Sequence, residues 1–334
     1  MAEMGSSGSV ASVPVEGTNG PGQLRQVLTG TAIPALLGII ALLVIVGGIT
    51  TSSFLTSTNL ETVLRNASIV GIAAVSVSLV TISGNFISLS VQQSAMLAAI
   101  LLATLMHHGW NAGAAVLACL VALTIVSVAQ GAIVAAGLNP VVATLAIGTI
   151  IFGGVTYFTN GATVTFDASS LSWMSSEIAG IPVQVIFFLA FTAIVTFLTR
   201  RSVVGRELKL SGSNPETARL SGISTRKSTI WAFFVVGIAL TLAGVLGASM
   251  FGQADTLTFE TMSIDAATAV IVGGVAIQGG LGSPVQAALG AIFISLIGNI
   301  LVLHGATRGV TQIVTGCLVI AAILIMHLST GRRR

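Results

Sequence analysis

Charge is what this sequence has least of. Asp, Glu, Lys and Arg make up 7% of its 334 residues, against 54% hydrophobic residues and a mean hydropathy of +1.01. A soluble domain carries roughly 25% charged residues to keep its surface in water. Lipid must therefore be the main solvent here, and counting soluble domains from length does not apply. Cysteine is nearly absent. Cys119 and Cys317 lie inside apolar runs, where small packing residues are expected and a disulfide is not. No Gly-Lys-Ser or Gly-Lys-Thr occurs, so the P-loop lysine that meets nucleotide phosphates is missing. No His-Glu-x-x-His or Cys-x-x-Cys spacing is present to hold a metal. His107 and His108 fall at a turn, where solvated residues are the simpler reading. Nor is there a carboxylate pair or Ser/His constellation, so no enzyme activity and no cofactor are expected.

Membrane carboxylates are equally scarce. Asp265 alone stands near a hydrophobic zone. Proton-coupled transporters commonly place Asp, Glu or His within the membrane as relays. Energy for uphill transport is therefore expected to come from another subunit.

What is present is a series of apolar runs. A charge within hydrocarbon costs roughly 2.5–3.5 kcal/mol, so charge-free windows mark the spans. One covers about 31–50. Residues 66–166 are 101 consecutive positions without Asp, Glu, Lys or Arg, enough for four helices, with breaks at 83–85, 106–111 and 137–140. Further spans are expected over 178–199, 228–254, twice within 266–307 (split at 278–284), and over 309–331. The fold class is thus all-α, a polytopic bundle of about ten transmembrane helices. The Gly- and Ser-rich residues 1–30 read as a disordered tail, 31–328 as the membrane domain and 329–334 as a basic C-terminus.

The basic balance, a net charge of +3, is a topology signal and calls for no nucleic acid. With both termini cytoplasmic, 11 of the 13 basic residues fall on the inner side, Arg65 and Arg308 being the exceptions. The longer outer loops, 159–182 and 252–263, carry acidic residues only.

Residues 200–228 form the one long inner loop, and they encode a short helix. Asn214 is an N-cap, Pro215 suits the first helical position, Glu216 complements the dipole, and Gly222 ends the helix in a left-handed conformation. Two turns do not hold themselves together in water. The helix is either an interfacial connector on lipid headgroups or a knob fitting a partner.

At this loop the sequence resembles a known family. Gly205-Arg206 and Gly212-Ser213-Asn214-Pro215-Glu216-Thr217-Ala218-Arg219-Leu220-Ser221-Gly222-Ile223 look like the coupling loop of the permease subunits of ribose-type sugar ABC importers. Asn139-Pro140-Val141-Val142-Ala143-Thr144-Leu145, Gly180-Ile181-Pro182-Val183, the 264–274 stretch ending in Gly273-Gly274, and Gly279-Gly280-Leu281-Gly282-Ser283 follow in the family's order, over about 55–328. The resemblance implies a bacterial inner-membrane location. It implies a second permease, identical or different, a cytoplasmic ABC ATPase subunit docked on the coupling loop, and an extracytoplasmic sugar-binding protein. On it, Asn214, Pro215, Glu216, Ala218 and Gly222 form the ATPase-coupling element. The sequence departs from the family's "G-G-I-D-L-S-V-G" stretch at Asn85, Ser88 and Gln92, and has Ser263 at another acidic position.

A sugar crossing the membrane needs neutral hydrogen-bond partners. Asn85, Ser88, Gln92, Gln93, Thr144, Asn299 and Gln312 are the candidates for its path, each also readable as an interhelical packing bond. Trp173 and Met174 are candidates to face the binding protein, with an interfacial anchor as the other reading of Trp173. The implied activity is import of a simple sugar or polyol. A self-sufficient transporter or channel and a branched-chain amino acid permease are the alternatives.

Overall fold

The computed structural model describes residues 21–331. Ten helices account for the bundle: α1 (Pro21–Thr50), α2 (Ser57–Ile82), α3 (Val91–His107), α4 (Ala112–Ala135), α5 (Pro140–Thr159), α7 (Val183–Arg201), α10 (Thr225–Phe251), α11 (Met262–Val272), α12 (Pro284–Leu303) and α13 (Arg308–Gly331). Their order and breaks follow the charge-free windows. Seven of these are long and apolar enough to cross a membrane; α3, α11 and the apolar part of α13 are shorter. The chain is an all-α, multi-pass membrane bundle. Helix α1 starts at Pro21, within the stretch read from sequence as tail, while residues 1–20 and 332–334 lie outside the described residues.

Helices α2 and α10 run through the centre, buried over most of their length, with α3, α4, α7, α11 and α12 packed around them. In lipid no hydrophobic driving force joins one helix to another, so small residues let backbones approach. Gly244 of α10 illustrates this: a Cβ there would lie 2.5 Å from the carbonyl oxygen of Ala95 on α3.

Two connections are shorter than a span. Helix α11 has 11 residues, about 17 Å at 1.5 Å per residue and so roughly half of the hydrocarbon thickness. Between α2 and α3, residues 85–90 leave helical geometry while Ser88 and Ser90 stay buried. Irregular backbone at membrane depth must find its hydrogen bonds within the protein. Here side chains provide them. The Thr144 hydroxyl accepts from the Leu89 amide at 3.1 Å, and the Ser263 hydroxyl accepts from the Gln92 amide at 2.9 Å and donates to the Leu89 carbonyl at 3.3 Å.

On the acidic side, the loops are more ordered than the sequence suggests. Strand β1 (Val164–Thr165) pairs antiparallel with β4 (Gln253–Ala254), zipping the two outer loops together. Strands β2 (Glu177–Ile178) and β3 (Ile181–Pro182) form a small hairpin after the four-residue helix α6 (Ser172–Ser175). Arg65 of α2 anchors this segment. It donates to the Ser175 carbonyl at 3.0 Å and the Gln184 amide oxygen at 2.9 Å, and pairs with Glu61 and, at 3.5 Å, with Glu177.

Candidate functional site

The inner loop is almost wholly helical. After α7, Ser202 caps an amphipathic helix α8 (Val203–Ser213) by accepting from the Gly205 amide at 3.0 Å. Sequence reading missed α8, although the Ser202 cap was available as a signal. Then comes α9 (Pro215–Leu220), the short helix that the capping residues predict. The Asn214 side chain accepts from the Thr217 amide at 3.1 Å. Gly222 has φ +76°; its amide donates to the Arg219 carbonyl at 3.0 Å, and the Ile223 amide to Ala218 at 2.9 Å. These two bonds satisfy carbonyls that the helix end would otherwise leave free.

Helix α9 stands proud of the bundle. Pro215, Glu216, Thr217 and Arg219 are exposed, Glu216 pairs loosely with Arg219 at 3.4 Å, and Leu220 is 90% exposed. Ala218 is buried within this chain and seats α9 on the bundle; the outward apolar residue of the helix is Leu220, which the sequence reading does not single out.

Directly behind α9 three backbones meet. Gly212 at the end of α8 lies against the carbonyl of Ile82, the last residue of α2, so closely that no Cβ fits; a Cβ there would also stand 2.7 Å from the Gly280 amide. The Gly280 amide itself donates to the Ile82 carbonyl at 2.9 Å. A Cβ on Gly279 would be 2.6 Å from the Gly84 Cα, and one on Gly280 would overlap Ser213. The α2 terminus, the end of α8 just before α9 and the α11–α12 connection are thus in backbone contact. Two side-chain links add α10: Ser211 Oγ donates to Ser228 Oγ at 3.4 Å, and Asn85 Nδ2 donates to Thr229 Oγ1 at 3.0 Å.

The residues nominated for a solute path fall into three groups. Asn85 belongs to the junction just described, where its amide also donates to Ser83. Ser88, Gln92, Gln93 and Thr144 gather around the break before α3. There Ser88 meets Ser90 at 3.1 Å, and Ser90 donates to Gln130 Oε1 at 2.8 Å. The backbone bonds of Thr144 give it a structural task. Gln93 Oε1, Ser94 Oγ and Gln130 Nε2 in this region have no hydrogen-bond partner among the described residues, and Ser90, Gln130 and Ser263 are not among the sequence candidates for the path. Asn299 and Gln312 form the third group, lining a cavity of about 560 Å³ among the outer parts of α2, α10, α11, α12 and α13.

In the outer loop Trp173 is half exposed and packs at a tilt on Phe187, with ring centroids 6.1 Å apart, whereas Met174 is buried. His107 contacts the Thr165 carbonyl at 3.1 Å, and among the described residues no group of three or more His, Cys, Asp or Glu could hold a metal ion.

Comparison with known proteins agrees with this architecture. Residues 59–323 match the family described as branched-chain amino acid transport system / permease component. The probable ABC transporter permease protein YphD of Escherichia coli K12 is 31% identical over 299 residues, 89% of this chain and 90% of its own. The ribose import permease protein RbsC of the same strain is 30% identical over 310 residues, covering 90% and 96%. The autoinducer 2 import system permease protein LsrD of Klebsiella pneumoniae is 28% identical over 271 residues, covering 79% and 81%. With this coverage, and with a multi-pass bundle of matching extent, the chain belongs to the family of ABC importer permeases that includes the ribose import permease.

Proposed function

We propose that this chain is one of the two membrane halves of an ABC importer, passing a simple sugar or related polyol by alternating access driven by a separate ATPase. The observation that carries the reading is α9: a doubly capped helix of six residues that projects from the inner face with an exposed Leu220. Such a helix is too short to stand alone, and its form suits a cleft on a partner. Asn214, Pro215, Glu216 and Gly222 shape it, and Glu216 and Leu220 meet the ATPase. The cargo class is supported by relatives named for import of ribose and of autoinducer 2. A binding protein on the outer face and a second permease complete the assembly.

In this mechanism the ATPases close on ATP and draw on α9. The contact of Gly212 with Ile82 and Gly280 conveys that movement to α2, one of the two central buried helices, and to the broken α11–α12 pair, so the outer side opens. Hydrolysis resets it. No covalent chemistry falls to this chain.

The test is uptake in proteoliposomes with and without the ATPase. Glu216→Lys with Leu220→Asp should abolish co-purification of the ATPase and lower uptake by about tenfold or more, with normal insertion; loss of one buried apolar contact alone is worth about that factor. Uptake that persists without ATPase and collapses with an uncoupler would mean a self-sufficient transporter instead.

A further inference from the structure

The cavity of about 560 Å³ falls within the roughly 300–1,000 Å³ typical of small-molecule sites. Its wall is mixed. Phe251 and Phe259 supply apolar faces, while Asn66, Gln312 and Asp265 bring polar groups. At its edge the Glu260 carboxylate is already engaged by Arg308 at 2.8 Å. Asp265 has no such countercharge: its carboxyl meets the Thr261 side chain, and among the described residues no cation lies within ion-pair distance of it. It sits in the first turn of α11, where the positive end of the helix dipole favours a carboxylate. An ionisable side chain at this depth with no countercharge is costly, and a functional role is its default explanation.

We propose that this cavity is a transit subsite, one in each protomer, for a neutral polyhydroxylated solute of monosaccharide size. Asp265 accepts hydrogen bonds from its hydroxyl groups, the Gln312 and Asn66 amides complete the polar side, and Phe251 and Phe259 cover its C–H faces. A cation would be gripped by a carboxylate in so apolar a setting, whereas a neutral polyol is held by hydrogen bonds that break one at a time. This assignment rests on the importer reading above and adds to it where, within the protomer, the solute pauses.

Gly298 gives a clean probe. It lines the cavity, and a Cβ built on it meets nothing within 4 Å, so a larger side chain there fills the space without moving the backbone. Gly38 on α1 is equally open and serves as the control. The experiment measures uptake of labelled D-ribose, D-xylose, L-arabinose and D-galactose by the full assembly in proteoliposomes. Gly298→Leu and Asp265→Asn should each lower uptake at least about tenfold, the weight of one hydrogen bond to a charged group. Both should co-purify with the ATPase in wild-type amounts, and Gly38→Leu should transport normally. Gly298→Ala, which adds one methyl to open space, should give a smaller loss with the fold intact. Normal uptake by either Gly298→Leu or Asp265→Asn overturns the subsite and leaves the importer reading standing. Uptake of none of the four sugars by the wild-type assembly overturns the sugar reading itself, and the subsite with it.

Discussion

Asn59 of α2 and Asn299 of α12 hold each other through two amide hydrogen bonds, Asn59 Nδ2 to Asn299 Oδ1 at 3.0 Å and Asn299 Nδ2 to Asn59 Oδ1 at 2.7 Å. The same Asn59 amide donates to the Phe54 carbonyl at 2.9 Å, which ties the α1–α2 connection into the pair. Asn299 borders the outer cavity with one N–H and one lone pair given to Asn59, so its amide is fixed in orientation and shapes the wall. Replacing Asn299 by Leu leaves Asn59 facing an apolar neighbour and should destabilise the bundle by about 1–2 kcal/mol. The Asn59→Leu/Asn299→Leu double variant should recover part of this. Thermal unfolding in detergent, set out as a double-mutant cycle, measures the coupling.

The glycine junction makes a sharper demand. At Gly212 a single methyl group has no room, because the Ile82 carbonyl already fills the site. Gly212→Ala should push the end of α8 away from α2, break the bond from the Gly280 amide to Ile82, and cut uptake at least about tenfold, equivalent to about 1.4 kcal/mol. Because α9 stays exposed and capped, the ATPase should still co-purify. Loss of transport with the ATPase bound separates failed transmission from failed docking.

Gly222 tests the shape of α9 alone. Its φ of +76° lies in the left-handed region, where an L-residue with a Cβ costs about 1 kcal/mol or more. Gly222→Ala should therefore fray the last turn of α9 and weaken ATPase association by about fivefold, the factor that 1 kcal/mol represents. Gly222→Asn, which tolerates the left-handed conformation better, should retain more affinity. Titration of the purified ATPase against the permease in nanodiscs checks both.

The outer anchor around Arg65 is sensitive to pH. The carboxyl of Glu177 is held above its usual range, first through its hydrogen bond with the Glu61 carboxyl, and this outweighs the neighbouring Arg65. A raised carboxylate value means that the folded loop favours the protonated form. Its contribution is complete below the ordinary value of 4.5 and is lost as pH rises through the raised one. Hydrogen exchange in residues 175–184 should therefore quicken on passing upward through that window. Glu177→Gln should remove the dependence and keep the segment protected at neutral pH.

Much of this molecule was legible before any coordinates. Charge-free windows mark the bundle helices because lipid disfavours charge along most of each span, although Glu61 and Arg65 in α2 and Asp265 in α11 stand near helix starts, at or beyond the window edges. Asn214, Pro215 and Gly222 were readable because caps are local, set by a residue and its neighbours within one turn. Contacts such as Asn59 with Asn299, or Gly212 with Ile82, were not, since no periodicity states which helix will lie beside which. Helix α8 escapes a reading by apolar windows because it lies outside them, where charged positions report topology alone. Residues 85–90 were seen as a break, but the buried partners that satisfy it come from α5 and α11, far away in the chain.

That break supplies the last prediction. The Thr144 hydroxyl is the acceptor for the Leu89 amide, while it donates to the Pro140 carbonyl at 2.8 Å on its own helix. Thr144→Val keeps the shape and removes the acceptor, leaving a buried amide unpaired at a cost of about 1–3 kcal/mol. Thr144→Ser keeps the hydroxyl and should behave as wild type. If Thr144 instead contacted the solute, Thr144→Val would alter transport kinetics while leaving the melting temperature in place. The hydrogen bonds favour the opposite: a lower melting temperature, less protein in the membrane, and an unchanged half-saturating sugar concentration for the molecules that remain folded. Unfolding curves and uptake normalised to folded protein decide between them, because a hydroxyl whose proton goes to the Pro140 carbonyl and which accepts from the Leu89 amide is held in place by the backbone on both sides.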